Sequence, residues 1–180
     1  MNQLQGIKNY LVVQNGTIIC HKCNDQVEVN DNKIIVDNAS SLQIIYLIDQ
    51  EGKYSIDLTI KGSLELIETY DLKTNATLVK NIEISKNANV LRYADNQSDA
   101  LIQTKVIENV KVERDGNVKC AYVELAANSI EMEINYALIG ENASATIRLA
   151  ALARNVEKKH ITLSLVHEAP YTTGIMDNYG

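Results

Sequence analysis

Thiols and imidazoles are the side chains here best suited to metal or redox chemistry, and they are few: three cysteines and three histidines in 180 residues. Cys20-His21-Lys22-Cys23 sets two thiols three positions apart with a histidine between them. That is the spacing of a redox dithiol or of half a four-thiolate zinc site. No second Cys-x-x-Cys follows, so four thiolates are not encoded. The segment also falls at a strand end, with no helix N-terminus to lower a thiol pKa. Both cysteines read as incidental thiols. Cys120 lies in a strand-like apolar run, residues 118–123, and reads as a small core residue. His160 and His167 share one run but have opposite parity in a strand, and seven residues of strand span roughly 23 Å. They cannot ligate one ion from a straight strand, so each reads as a hydrogen-bonded wall or turn histidine. His160, His167, Cys20 and Cys23 thus remain candidate ligands without an assembled site, and no catalytic residue is assigned.

The other signatures of chemistry are missing. The sequence contains no G-x-S-x-G, H-E-x-x-H, phosphate-binding Walker loop or G-x-G-x-x-G. Its carboxylates alternate with apolar residues and read as solvated faces. Asp57, Asp71, Asp95, Asp99 and Asp115 share no regular offset, which argues against a hydrolase built on clustered aspartates. A net charge of −6 with both signs scattered argues against a nucleic-acid ligand, which needs a concentrated basic face. The expectation is a protein that is not an enzyme.

What must position these residues is a strand–turn–strand unit that recurs about every 25 residues. Its turns are Asn38-Ala39-Ser40, Lys61-Gly62-Ser63, Asn87-Ala88-Asn89, Asp115-Gly116-Asn117 and Asn142-Ala143-Ser144. Alternating runs flank them, such as Ile56, Leu58 and Ile60 against Asp57, Thr59 and Lys61, or Met132, Ile134, Tyr136 and Leu138 against Glu131, Glu133 and Asn135. Period-2 alternation puts one face inside and one in water. A fixed repeat of this length predicts stacked coils that bury their apolar edges against each other. The fold class is therefore all-β, a right-handed parallel β-helix over 41–180, preceded by an irregular or antiparallel β cap over 1–40. In the cap, Asn15-Gly16 is a hairpin turn between two apolar runs, and Asn30-Asp31-Asn32 joins two more.

Composition fits that reading. One proline and many Asn and Gly residues supply corners that tolerate the left-handed backbone region. With nine Tyr, no Phe and no Trp, the core is expected to be Ile, Leu, Val and Ala. Residues 143–154 are rich in Ala and Leu, yet they fall where the repeat requires a strand and are read as one. Residues 98–108 are ambiguous. No stretch approaches the 18 apolar residues of a membrane helix, and the N-terminus has no basic-then-apolar secretory pattern. The Asn-x-Ser/Thr triplets then read as turn chemistry. Cytoplasmic localisation and reduced thiols are the expectation.

From about residue 80 onward the order of motifs resembles the SufB/SufD family, the β-helical subunits of the SUF iron–sulfur assembly machinery. The resemblance is carried by Val79-Lys80-Asn81-Ile82-Glu83-Ile84 with Asn87-Ala88-Asn89-Val90, then Val112-Glu113-Arg114-Asp115-Gly116-Asn117 followed by Val123, then Ile139-Gly140-Glu141-Asn142-Ala143. It closes with His160-Ile161 followed by Val166-His167-Glu168-Ala169-Pro170-Tyr171-Thr172-Thr173-Gly174 and Asn178-Tyr179-Gly180. The resemblance implies a non-catalytic, SufD-like scaffold acting with a SufB-like subunit and a separate SufC-like ATPase. Family members continue past the point matching Gly180, so the β-helix is expected to be truncated relative to them and open at its C-terminal end. The family's cluster-building Cys and His positions lie in that further part, so none is carried over. Three thiols cannot supply four thiolate ligands, and Cys120 lies far from Cys20 and Cys23 in sequence, so the chain is expected to bind no iron–sulfur cluster stably by itself, with a cluster only in a complex, and to self-associate through its open end. The competing reading is a β-solenoid binding or structural module unrelated to metal.

Overall fold

A computed structural model describes residues 9–24, 26–98 and 102–180, without the side chains of Cys20 and His21. Fifteen strands account for its secondary structure, with no helix among the described residues. The first four are β1 (Tyr10–Gln14), β2 (Thr17–Lys22), β3 (Val27–Asn30) and β4 (Lys33–Val36). The stack continues through β5 (Ser41–Ile48), β6 (Gly52–Ile60), β7 (Ser63–Leu72), β8 (Ala76–Ile84), β9 (Asn89–Asn96) and β10 (Gln103–Val112). It finishes with β11 (Asn117–Glu124), β12 (Ser129–Leu138), β13 (Ser144–Ala151), β14 (Lys159–His167) and β15 (Thr173–Tyr179).

These strands form two sheets. The eight-stranded sheet runs β15-β13-β11-β9-β7-β5-β1-β2 and the seven-stranded sheet β14-β12-β10-β8-β6-β4-β3. The chain alternates between them, so each coil contributes one strand to each sheet and every pairing from coil to coil is parallel. Ser41 lies beside Glu65, Ser63 beside Asn89, Asn89 beside Asn117, Asn117 beside Ser144, and Ser144 beside Thr173, so one coil takes 24 to 29 residues. This is the parallel β-solenoid that the repeat predicts. The ambiguous stretch resolves in part as the start of β10, and the Ala- and Leu-rich stretch as β13, where tertiary stacking overrides helix propensity.

The antiparallel pairs lie at the N-terminal end. β1 and β2 form a hairpin whose turn residues Asn15 and Gly16 have φ of 49° and 77°, the doubly left-handed turn that suits strand twist. β3 pairs antiparallel with β4, across a turn containing Asp31 at φ 50°. β1 and β4 then hand over to the stack, parallel to β5 and β6.

Coil corners follow from the Asn-Ala-x turns. Asn38, Asn87, Asp115 and Asn142 take φ between 54° and 61°, a region Asn and Asp enter at low cost. The alanines after three of them, Ala39, Ala88 and Ala143, are buried under the corner. Gly140 has a different reason: a Cβ there would come within 1.9 Å of the Arg114 backbone nitrogen, so only glycine lets the two coils approach.

The two sheets face each other across one core. Around the first coils it is aliphatic, with Leu11, Ile34, Leu42, Ile44, Leu58 and Ile60 fully buried. Further along, the composition-based expectation is corrected. Tyr46, Tyr70, Tyr122 and Tyr136 are inside, and so are Glu68, Lys80, Arg92 and Glu108. The carboxylates are therefore not all solvated faces. On the outside of the seven-stranded sheet an amide ladder climbs the stack: Asn81 donates to Asp57 at 2.8 Å, Asn109 to Asn81 at 3.1 Å and Asn135 to Asn109 at 3.3 Å. Such ladders align identical groups one strand spacing apart.

Candidate functional site

The candidate ligands are not brought together. Position 20 lies on β2, opposite Val12, but the Cys20 side chain falls outside the description, as does Asp99. Cys23 follows β2, half-buried against the core, and burial raises its thiol pKa. His160 stands in register with Glu131 of β12 on the outer face, whereas His167 is in register with the buried Leu138. The opposite parity read from the sequence is thus present in the fold. His167 Nδ1 lies 2.7 Å from Thr172 Oγ1, a turn contact. Among the described residues no group of three or more His, Cys, Asp and Glu side chains could hold a metal ion.

The interior holds a polar centre that the sequence reading missed. Four successive strands, β7 to β10, each send one charged side chain inward: Glu68, Lys80, Arg92 and Glu108, all 1% exposed or less. Glu68 Oε1 accepts from Lys80 Nζ and from Tyr46 Oη, each at 2.8 Å, while Oε2 accepts from Arg92 Nε. Lys80 Nζ also donates to Tyr70 Oη at 2.6 Å and lies 2.9 Å from Glu108 Oε2. Arg92 grips Glu108 with both terminal nitrogens, the two-pronged geometry that guanidinium and carboxylate share. Tyr122 Oη donates to Glu108 and lies 3.0 Å from Tyr136 Oη.

Aromatic faces complete the cage. Tyr46 and Tyr70 stack with centroids 5.5 Å apart, and Lys80 Nζ sits 5.0 and 4.9 Å from their centroids. Arg92 lies over Tyr122 at 5.3 Å. A cation over a ring face is attracted by the ring quadrupole, more strongly where water is absent.

Two carboxylates face two cations, so the quartet is neutral overall. Burial alone would raise the Glu108 pKa, but Arg92 and Lys80 more than offset it and hold the carboxyl well below its ordinary range. Glu68 follows the same balance and is also lowered. Lys80 is penalised by burial and by Arg92, yet the two glutamates raise it above the ordinary lysine value. All four groups are therefore ionised at neutral pH, and each is committed to the others. Cys120 borders this centre, and burial pushes its thiol pKa up to about 11. It is a core residue, as its apolar run suggests, though one in polar company. The arrangement can lock strands together. It offers no free base and no thiolate.

A second polar cluster seals the corner between β11 and β12. Lys159 Nζ donates to Glu124 Oε1 at 2.8 Å and to the carbonyls of Ala126 and Asn128 at 2.7 and 2.6 Å. Asn96 donates to Glu124 Oε2 at 2.8 Å and to Asn128 Oδ1 at 3.1 Å. With fewer cations around it than Glu108 has, Glu124 is raised by burial.

Among the described residues no helix is long and apolar enough to cross a membrane, which says nothing of crossings built from strands. Comparison with curated proteins returned no match, and comparison with solved structures returned none either. The family model described as SUF system FeS cluster assembly, SufBD core domain, matches residues 19–180. That match takes in all the parallel coils from β4 to β15 and both buried polar clusters. By fold and by this match, the chain belongs to the SufBD core family of the SUF iron–sulfur cluster assembly system.

Proposed function

We propose that the chain is a non-catalytic, SufD-like scaffold subunit in iron–sulfur cluster assembly, working with a SufB-like β-helix and a separate SufC-like ATPase in the cytoplasm. The family match supports the assembly role. The observation that carries the scaffold reading is the last coil. β14 and β15 each stand at the end of their sheet, with one backbone edge unpaired among the described residues. Ile161, Leu163 and Leu165 are only partly buried there, whereas Met132, Ile134 and Tyr136, their neighbours one coil earlier, are buried. An open strand edge beside uncovered aliphatic groups is what a partner strand pairs with.

The chemistry of the interior favours scaffold over catalyst for a separate reason. Its ionisable groups are neutralised by one another, and its described thiols, Cys23 and Cys120, have raised pKa values that disfavour nucleophilic thiolate. A stable cluster is accordingly expected only within a complex.

Co-purification tests this reading. Tagged chain co-expressed with a SufB-like and a SufC-like subunit is expected to retain the SufB-like protein and, through it, ATPase activity. Leu163→Lys is expected to release both. Retention of neither subunit by the wild-type chain would overturn the reading.

A further inference from the structure

The outer faces of the two sheets differ. The seven-stranded sheet shows water its amide ladder, with charged and hydroxyl groups beside it. The eight-stranded sheet shows large apolar groups: Leu91 is 41% exposed, Tyr93 42% and Ile175 49%, with Val123 close behind. A groove of about 390 Å³ opens among them. Its floor is Ala121, a small outward residue between Tyr93 on one neighbouring strand and Arg148 on the other. Leu91, Lys119 and Ile175 complete the wall.

Two cations rim this groove on a chain of net charge −6. Arg148 is partly engaged, its Nε 3.5 Å from Asp177 Oδ2. The Lys119 side chain makes no hydrogen bond or ion pair with any described residue, and its strand position lies between Leu91 and Thr146 in register. An unmatched ammonium beside exposed aliphatic and aromatic walls is complementary to a carboxylate flanked by aliphatic side chains.

We infer that this groove docks an acidic, aliphatic segment of a partner protein, inserting an apolar side chain over Ala121 and a carboxylate against Lys119. The inference goes beyond the scaffold reading, because it concerns the sheet face and not the open coil edge. A second copy of the chain fits less well: two-fold pairing centred here would bring the two Lys119 ammoniums face to face. In an extended segment, side chains two residues apart share a face, so the pattern Leu-x-Glu-x-Leu presents the required triad.

The chain has no tryptophan, so Tyr93→Trp makes the groove wall a unique fluorescent reporter. The probe is the peptide Gly-Leu-Ser-Glu-Ser-Leu-Gly, with a lysine in place of the glutamate as control. The expected result is a saturable blue shift with the glutamate peptide, at least about tenfold weaker with the lysine peptide, and weakened by salt. Adding Lys119→Glu is expected to reverse the preference between the two peptides, a result that mere loss of folding cannot produce. Equal response to both peptides, or no response, would overturn the inference. So would sedimentation data in which Ala121→Arg abolishes self-association, since a second copy would then be the occupant.

Discussion

Two stretches of the solenoid interior, its first coils and its middle, are built on different physics. Between β4, β5 and β6 the sheets meet through Ile34, Leu42, Ile44, Leu58 and Ile60. From β7 to β10 they meet through Glu68, Lys80, Arg92 and Glu108, caged by Tyr46 of β5, Tyr70 of β7, Tyr122 of β11 and Tyr136 of β12. The aliphatic part gains stability from area removed from water, a non-directional term that one aliphatic contact supplies as well as another. The ionic part gains little net energy over a well-packed apolar core, because desolvation of four charges consumes most of the Coulombic attraction. What it adds is direction. A one-residue slip of β9 would move Arg92 to the outer face and leave Glu68 and Glu108 buried with Lys80 as the one cation between them. A one-residue slip is costly for an aliphatic strand too, but a two-residue slip restores its apolar contacts, whereas it would carry Arg92 away from both carboxylates.

The sharpest break in that comparison is removal of one member of the quartet. Arg92→Met is expected to destabilise the fold by about 3–5 kcal/mol in denaturant unfolding, because two carboxylates would stay buried facing only Lys80. Replacing all four charges with apolar groups of similar volume is expected to be close to neutral in stability, while hydrogen exchange in β7 to β10 becomes faster. A quadruple variant as unstable as Arg92→Met would show that the charges contribute energy and not register.

In the aliphatic part, Leu42→Ala is expected to cost about 2–5 kcal/mol by cavity formation, with no dependence on pH. The quartet should respond to pH. Glu68 and Glu108 have folded pKa values below their unfolded value of 4.5, so their contribution is full above that value. It is lost as pH falls below it toward the depressed folded values. Stability measured from pH 6 down to pH 2 should therefore decline, and the decline should be shallower in Glu108→Gln. Equal slopes in the two proteins would contradict the assignment of charge inside the core.

The smallest of these effects lies on the outer ladder. Asn109→Ala removes one bond to Asn81 and one from Asn135, at a partly exposed site. The expected loss is about 0.5–1.5 kcal/mol. A loss as large as that of Arg92→Met would place register control on the outer face.

The coil repeat was legible because each turn advertises itself: Asn or Asp enters the left-handed region, and in Asn38, Asn87 and Asn142 a buried alanine follows. Parity alone also placed Met132, Ile134 and Leu138 inside and separated His160 from His167. The quartet carried the same signal and was misread. Glu68 shares parity with Leu64, Leu66 and Leu72, Arg92 with Val90 and Ala94, and Glu108 with Val106, Val110 and Val112. Four strands in succession break their apolar side with one charge, in the order minus, plus, plus, minus. Charge on an amphipathic strand is normally solvent-facing, and only the matching of signs across strands marks these as paired. The groove at Ala121 had no such marker, since it arises from register between coils whose lengths differ.

Sedimentation velocity of the purified chain over a hundredfold concentration range tests the scaffold account most directly. The account predicts concentration-dependent association through the β14–β15 end, abolished by Leu163→Lys or Leu165→Glu with the fold retained. A sharp, concentration-independent 20.0 kDa monomer would contradict it. The last coil would then be closed to partner strands, and the scaffold role would lose the surface on which it rests.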